Sequence, residues 1–125
     1  MSDFEILSEN QLLLALSPHI YGDLLPHLQE TFLVSGQVVH KPQEAISEVY
    51  FPKSAIFSSV IATDDSCAIE VALVGNRGLV GLPAVFGDSY GVTSSTVQVS
   101  GTALKASAQI VREEFWLYRN SRGRH

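Results

Sequence analysis

The stretch VALVGNRGLVGLPAVFGDS, residues 71–89, has the residue types and spacing in this sequence that are best suited to binding an anion. Glycines stand at 75, 78, 81 and 87, directly after the apolar run AIEVALV. Glycine at the end of a strand lets backbone N–H groups approach a phosphate closely, so a phosphate site is one interpretation. The spacing G-x-x-G-x-x-G matches neither the dinucleotide-binding pattern nor the P-loop. A tight turn or bulge between strands is therefore the alternative interpretation.

The histidines form no metal-binding pattern that can be recognised from their spacing. Zinc or iron needs ligands that converge within about 2.0–2.3 Å of one metal, and local spacing such as HxH or HxxxH usually accompanies such a site. Neither spacing occurs here, and no metal cofactor is expected, although a barrel can bring distant histidines together. The four histidines are His19, His27, His40 and His125.

Nucleophilic catalysis also lacks its usual parts. Cys67 is the single cysteine, so the chain has no intramolecular disulfide, and no G-x-S-x-G motif is present. Cys67 follows a predicted hairpin and is interpreted as a small buried residue. Asp64 and Asp65 are assigned to the turn of that hairpin, and Glu70 to the next strand as a surface or pocket acid. The chain is therefore not expected to be an enzyme, and no catalytic residue is assigned.

Composition and charge indicate a single globular domain. The chain has 125 residues, 46% apolar and 17% charged, which suits one domain with a core and not comfortably two. No apolar run approaches the roughly 20 residues that span a bilayer. The acidic N-terminus MSDFEILSEN is unlike a secretion signal, so a cytoplasmic location is predicted. Residues 1–118 contain five Lys or Arg against thirteen Asp or Glu, so this body lacks the basic stripe of a nucleic-acid-binding module.

The predicted order of elements is helices, a β-barrel and the start of another helix. Residues 8–28 have helical spacing, with Ser8 as a candidate N-cap and Pro18 suited to the first turn of a second helix that Pro26 shortens. After Thr31, short apolar segments alternate with turn residues. About seven strands without long helices between them favour an antiparallel barrel or jelly roll. The predicted segments are a helical segment over 1–30, a β jelly roll over 31–107, and the start of a helix with a basic tail over 108–125.

Three stretches, in this order, resemble the N-terminal sensor domain of the Crp/Fnr family of bacterial transcription regulators. They are EVYFPKSAIFSSV (48–60), AIEVALVGNRGLVGLPAVFG (68–87) and VQVSGTALKASAQIVREEF (97–115). The resemblance implies a double-stranded β-helix, which is a jelly roll flanked by helices. It also implies that the glycine-rich stretch corresponds to the phosphate-binding cassette of members that bind cyclic nucleotides. In that cassette a glutamate after the glycine holds the ribose 2′-hydroxyl, and an arginine further along neutralises the cyclic phosphate.

This sequence departs from that cassette at both ligand-binding positions. Gly81 matches the glycine, but Leu82 stands at the glutamate position, and the arginine position falls near Ser94, where there is no basic residue. Loss of the arginine removes a charge-assisted hydrogen bond of about 1.5–3 kcal/mol. Cyclic AMP and cyclic GMP in their usual binding mode are therefore not expected, and the effector is unknown. The iron–sulfur cluster of other family branches needs several cysteines, and haem would need one of the histidines as its axial ligand.

The preferred hypothesis is a ligand-sensing, cyclic-nucleotide-binding-like domain that shifts its C-terminal helix between two positions when an effector occupies the barrel. The alternative is a vestigial, ligand-free jelly roll that acts as a protein-interaction or dimerisation module, because an apolar residue at 82 would close the pocket. A cupin-like metalloenzyme ranks last, since the predicted strands supply only His40. The residues predicted to line the pocket are Glu70, Val80, Gly81, Leu82, Ala84, Ser94 and Ser95.

The expected partners follow from the same resemblance. Family members continue through a long dimerisation helix into a helix-turn-helix that binds DNA, and this sequence ends about where that helix begins. DNA binding is therefore expected only through a domain that this chain does not contain, and no membrane contact is expected. The apolar residues of the partial helix, between Ile110 and Leu117, predict a homodimer.

Overall fold

Two short helices begin the part of the chain that a computed structural model describes, which comprises residues 10–16, 18–62, 69–85 and 93–122. They are α1 (Gln11–Ala15) and α2 (Pro18–Leu24), and a 3₁₀ turn follows at Leu25–His27. Pro18 opens α2 and Pro26 lies in the 3₁₀ turn, as predicted, because proline has no N–H to donate within a helix. The predicted cap Ser8 lies outside the described residues.

Seven strands and two further helices follow within the described residues. The strands are β1 (Gln29–Leu33), β2 (Val38–His40), β3 (Glu48–Pro52), β4 (Ile56–Ala62), β5 (Ile69–Val74), β6 (Thr93–Val99) and β7 (Gly101–Ser107). The helices are α3 (Leu82–Val85), between β5 and β6, and α4 (Ala108–Arg122), directly after β7. Each predicted strand is present, although β1 begins two residues before Thr31.

The strands form two antiparallel sheets, which confirms the prediction of a mainly β fold. The first sheet has the order β1-β7-β3 and the second has the order β2-β6-β4-β5. β4 and β5 pair from Phe57↔Val74 to Ala62↔Ile69, as expected for the predicted hairpin, whose turn residues and Cys67 lie outside the described residues. No helix in the described part of the chain is long and apolar enough to cross a membrane.

β3 is buried on both faces of the first sheet, and this explains its continuous apolar run VYFP. Val49 and Phe51 are fully buried and belong to a core between this sheet and the helices. Tyr50, which points the opposite way, belongs to a second core shared with Phe57 and Val97 of the other sheet. A strand covered on both faces has no need of alternating polar residues.

Asn10 fastens the N-terminal helix to the barrel. Its Oδ1 accepts the Leu13 N–H at 3.0 Å, so Asn10 is the N-cap of α1. Its Nδ2 donates to the carbonyls of Pro52 at 2.7 Å and of Gly78 at 3.3 Å. The side chain is completely buried, so each of its hydrogen-bonding groups is paired inside the protein. One residue thereby joins α1, the end of β3 and the glycine-rich stretch.

Candidate ligand-binding site

The first half of the glycine-rich stretch is a turn that packs against α1. After β5 ends at Val74, the N–H of Gly78 donates to the carbonyl of Gly75 at 3.1 Å. The carbonyl of Asn76 accepts the Gln11 N–H at 2.7 Å. A Cβ atom at position 78 would lie 2.9 Å from Cγ1 of Val74, so the turn requires glycine there for packing. In this half of the stretch the structure agrees with the turn interpretation.

Gly81 lies where the chain leaves the edge of the first sheet and enters α3. Val80 forms a two-bond bridge with Tyr50, with N–H to O distances of 2.8 and 3.0 Å. Gly81 has φ +102°, a conformation that residues with a Cβ rarely adopt. A Cβ atom here would also lie 2.9 Å from Cγ1 of Val49 and 3.1 Å from Cε1 of His40. Both the backbone conformation and the close contacts therefore require glycine at this position.

The short helix α3 links this passage to the C-terminal helix. The Ala84 N–H donates to the Gly81 carbonyl at 3.1 Å. Ala84 and Val85 are buried in the same core as Val111 of α4. Leu82 is 46% exposed and therefore does not fill the barrel. Leu82, at the start of α3, is therefore exposed to solvent, whereas Ala84 and Val85, at its end, pack in the same core as α4, the helix expected to transmit a signal.

Ser94 and Ser95 of β6 lie on opposite faces of the second sheet. Ser95 is only 2% exposed, and its Oγ lies 3.1 Å from Oγ of Ser59, its cross-strand partner. Ser94 pairs with Val60, which pairs with the exposed Val71, so its side chain is on the outer face. Of these two predicted pocket residues, the structure places only Ser95 inside the barrel.

The predicted pocket residues thus fall into several groups. Val80 lies in the core between the sheets, whereas Ala84 lies in the core beside the helices. Gly81 connects these two positions. Glu70 pairs with Ile61 in the β4–β5 register, and its side chain lies outside the described residues. Whether a ligand contacts any of these residues stays a prediction.

His40 is a residue of this region that sequence reasoning considered only as a metal or haem ligand. An irregularity in the β2–β6 register between Val38 and His40 lets the His40 side chain turn inward. Its Nε2–H donates to the Glu48 carbonyl at 2.7 Å, because a carbonyl can only accept. Its ring centroid is 5.9 Å from that of Tyr50. In the sequence, His40 is noticeable only as a polar residue at the end of the strand QVVH. Its position close to Gly81, which helps to explain why residue 81 must be glycine, is visible only in the structure.

A small cleft lies beside His40, at the connection between β2 and β3. Its volume is about 60 Å³, room for water molecules rather than for a nucleotide, since small-molecule sites usually enclose about 300–1,000 Å³. Among the described side chains, no group of three or more His, Cys, Asp or Glu could hold a metal ion. The residues that line the cleft are Val39, His40, Lys41, Glu44, Ala45, Ile46, Ser47, Glu48 and Tyr50.

Comparison with known proteins identifies the fold. No protein-family model matches the sequence, and no curated protein does either. The structure is similar to the regulatory subunit of a cAMP-independent protein kinase A from Trypanosoma brucei, in a mutant form bound to cAMP in the A site. The TM-score is 0.74 at 15% identity over 96% of this chain and 46% of that chain. The chain has the cyclic-nucleotide-binding fold.

Two further structures with this fold are smaller proteins or domains. The sensor domain of the transcriptional regulator DNR from Pseudomonas aeruginosa matches with a TM-score of 0.67 and 18% identity, over 90% of this chain and 75% of that one. A cyclic nucleotide-binding-like protein from Brucella abortus matches at 0.63 and 17%, over 90% and 97% of the respective chains. This chain therefore spans less than half of the kinase subunit and most of the two bacterial proteins, and the predicted jelly roll is confirmed.

His40 makes the stability of this cyclic-nucleotide-binding fold depend on pH. Burial lowers the pKa of His40 below its ordinary value of 6.5, and the nearby Glu48 only partly offsets this. The unfolded chain therefore binds the proton more readily, so the His40 contribution is complete above pH 6.5 and is lost as the pH falls towards the folded-state pKa. We expect urea unfolding midpoints to decrease between pH 7.5 and 5.5.

The variant His40→Gln tests this assignment through the slope of stability against pH. We expect a smaller decrease in this variant than in the wild type. Burial and the Asp23 carboxylate raise the pKa of Glu114, so the contribution of Glu114 to stability increases as the pH falls, opposite to that of His40. Because Glu114 is present in both proteins and His40 is not among the groups that shift its pKa, comparing His40→Gln with the wild type removes that contribution. An unchanged slope in His40→Gln would contradict the assignment.

Proposed function

We propose that this chain is the effector-sensing domain of a cytoplasmic, Crp/Fnr-type transcription regulator, and that its effector is not a cyclic nucleotide bound in the usual mode. The observation that carries the proposal is the packing of α3 on α4. Buried Ala84 and Val85 share one core with Val111, so the cassette helix and the output helix are in direct contact. The similarity to the sensor domain of DNR supports a regulatory role.

The position of α4 gives the route by which a signal leaves the domain. α4 follows β7 without a loop, and the Ala108 N–H donates to the Ser47 carbonyl at 3.0 Å, which fixes the start of the helix. A ligand that moves α3 changes the surface on which Val111 is docked. Such a ligand shifts α4 between two positions in proportion to its difference in affinity for the two states.

The exclusion of cyclic AMP rests on charge. Between residues 54 and 104 the sequence has one basic residue, Arg77, which is exposed in the turn after β5. Without an arginine to pair with it, a cyclic phosphate lacks a charge-assisted hydrogen bond. The binding free energy is then weaker by about 1.5–3 kcal/mol, which is roughly a 10- to 150-fold decrease in affinity. The Trypanosoma brucei subunit offers a parallel, because it is described as cAMP-independent and the form bound to cAMP carries three substitutions, one of which replaces a threonine with an arginine.

Restoring the missing side chains tests the proposal. The double variant Leu82→Glu, Thr93→Arg places the arginine two residues before the buried Ser95, and therefore at a position of the same strand parity. We expect calorimetry to give no heat of binding for cyclic AMP with the wild type, and micromolar binding with this variant. The matched control Leu82→Glu, Ser94→Arg places its arginine on the outer face and should bind no better than the wild type.

Hydrogen exchange on the variant that binds cyclic AMP then tests the output. Binding should change the protection of backbone amides in α4 by severalfold, because α3 packs on that helix. Binding without any change in α4 would contradict the proposed signal route. Binding by the wild type would contradict the exclusion of cyclic nucleotides.

A ligand-free interaction module is the second candidate, and two observations favour it. Phe57 and Tyr50 fill the space between the sheets, with ring centroids 5.6 Å apart. Trp116 on α4 is 59% exposed, which would suit a helix that pairs with a second copy. This candidate predicts a dimer by light scattering that Trp116→Lys converts to a monomer, together with no response of α4 to any occupant of the barrel.

A further inference from the structure

The inner face of the second sheet is divided into an apolar part and a polar part. Val74, Phe57 and Val97 are cross-strand neighbours in β5, β4 and β6, and all three pack in the core between the sheets. Two residues further along, the cross-strand row contains Ala72, Ser59, Ser95 and His40, one from each strand. Small and polar side chains therefore replace large apolar ones across the width of the sheet.

The polar row becomes more accessible towards β5. Ser95 is 2% exposed, Ser59 is half-buried, and Ala72 is exposed although its partner Ser59 faces the interior. In the described residues, β5 pairs only with β4 and forms the edge of the sheet. The row thus runs from an exposed position on the edge strand to a buried hydroxyl. We call this row the hydroxyl recess; it comprises Ala72, Ser59 and Ser95.

The charges around the hydroxyl recess disfavour an anion. Lys53, at the end of the adjoining first sheet, is paired with Glu30. Between residues 54 and 104 the sequence has one lysine or arginine, Arg77, which is exposed in the turn after β5, and the acidic Glu70 stands two residues before Ala72 in the same strand. Burial lowers the pKa of His40, so its ring is neutral near pH 7 and adds no positive charge. An anion in the recess would lose its hydration without gaining a cation.

We propose that the hydroxyl recess binds an uncharged small molecule with hydroxyl or amide groups, which hydrogen-bonds to Ser59 and Ser95 and enters beside β5. Serine hydroxyls both donate and accept hydrogen bonds, so they complement a neutral polar group without needing a counter-ion. The proposal rests on the sensing function proposed above and specifies the chemistry of its effector. It differs from the cassette of cyclic-nucleotide-binding members in the residues it uses and in the charge it accepts.

Thiol labelling measures both the access and the charge preference of the hydroxyl recess. The variant Ser59→Cys is made in a Cys67→Ser background and treated with three methanethiosulfonates: neutral methyl, cationic trimethylammonium-ethyl and anionic sulfonatoethyl. Each transfers its thioalkyl group to the thiolate and releases methanesulfinate, so mass spectrometry gives the rates. Ser100→Cys, at an exposed position whose neighbours in the sequence are uncharged, is the control in the same background.

We expect the neutral and cationic reagents to modify Cys at position 59, and the anionic reagent to react roughly tenfold more slowly than the cationic one after normalisation to position 100. No reaction at 59 with any reagent would overturn the proposal, because the recess would then be closed. Equal normalised rates for the anionic and cationic reagents would also overturn it, while leaving the sensing function intact.

Hydrogen exchange on the labelled protein tests the proposed recess and the proposed sensing function separately. A neutral adduct at position 59 occupies the recess permanently, and we expect it to change hydrogen exchange in α4. Charge-selective labelling with no change in α4 would support the chemistry of the recess but contradict the signal route. Failure of the two proposals therefore gives two different results.

Discussion

Replacing Phe57 with alanine should lower the free energy of unfolding by about 3–5 kcal/mol. The Phe57 side chain is fully buried between the sheets, and its cross-strand neighbours are Val74 and Val97. Its ring also forms a tilted pair with Tyr50, and such pairs contribute about 0.5–1.5 kcal/mol beyond the buried area. Most of the loss comes from the cavity, because β4 is paired with β5 on one side and β6 on the other, and its backbone cannot move in to fill the space.

Urea denaturation followed by circular dichroism measures this loss, and the chain provides a matched control. Phe32→Ala makes the same change on β1, where the side chain is 65% exposed, and should cost less than about 0.5 kcal/mol. A loss below about 1 kcal/mol at Phe57 would mean that this ring does not support the packing between the sheets. If the variant is largely unfolded in water, Phe57→Leu gives a measurable value in the same direction.

Gly81→Ala is expected to lower the free energy of unfolding by about 2–5 kcal/mol, with two separable causes. A φ of +102° disfavours any residue with a Cβ by about 1–2 kcal/mol. The new methyl group would also lie 2.9 Å from Val49 and 3.1 Å from His40, and overpacking of this kind adds about 1–3 kcal/mol. The β3 strand beneath position 81 is fixed by pairing to β7, so Val49 cannot move away easily.

Gly36→Ala isolates the conformational cause. Gly36 has φ +95° but no atom within 4 Å of its added Cβ, so only the backbone penalty applies. The difference in unfolding free energy between the two variants therefore measures the contacts of position 81 with Val49 and His40. A shift of the His40 ring resonances should accompany Gly81→Ala and be absent from Gly36→Ala. Equal losses without that shift would show that glycine is needed only for its φ.

Much of the fold could be predicted from the sequence because its signals are local. Alternation, turn residues and the two prolines in the N-terminal helices are sufficient to predict seven strands and the order helix, barrel, helix. The sequence also predicts the start of α4 at Ala108, where the helix begins. These features depend on neighbouring residues and need no knowledge of what packs against them.

The candidate site was less predictable because it depends on register. Ser94 and Ser95 are adjacent and chemically identical, and only the pairing with β4 decides which of them faces the interior. Ser59 was not considered, since nothing in AIFSSVIA distinguishes the inward serine from its neighbour until Phe57 is known to be buried. Asn10 was likewise overlooked, because its partners Pro52 and Gly78 are distant in sequence.

The position of β7 at the centre of the first sheet has a consequence for synthesis on the ribosome. β1 pairs with β7 from Gln29↔Lys105 to Leu33↔Gly101, and β3 pairs with the other edge of the same strand. More than half of the chain is therefore made after β1 and before its partner. The nascent helices and β3 must remain without their sheet until β7 emerges, which is the interval in which a chain of this topology is most exposed to aggregation and to chaperones.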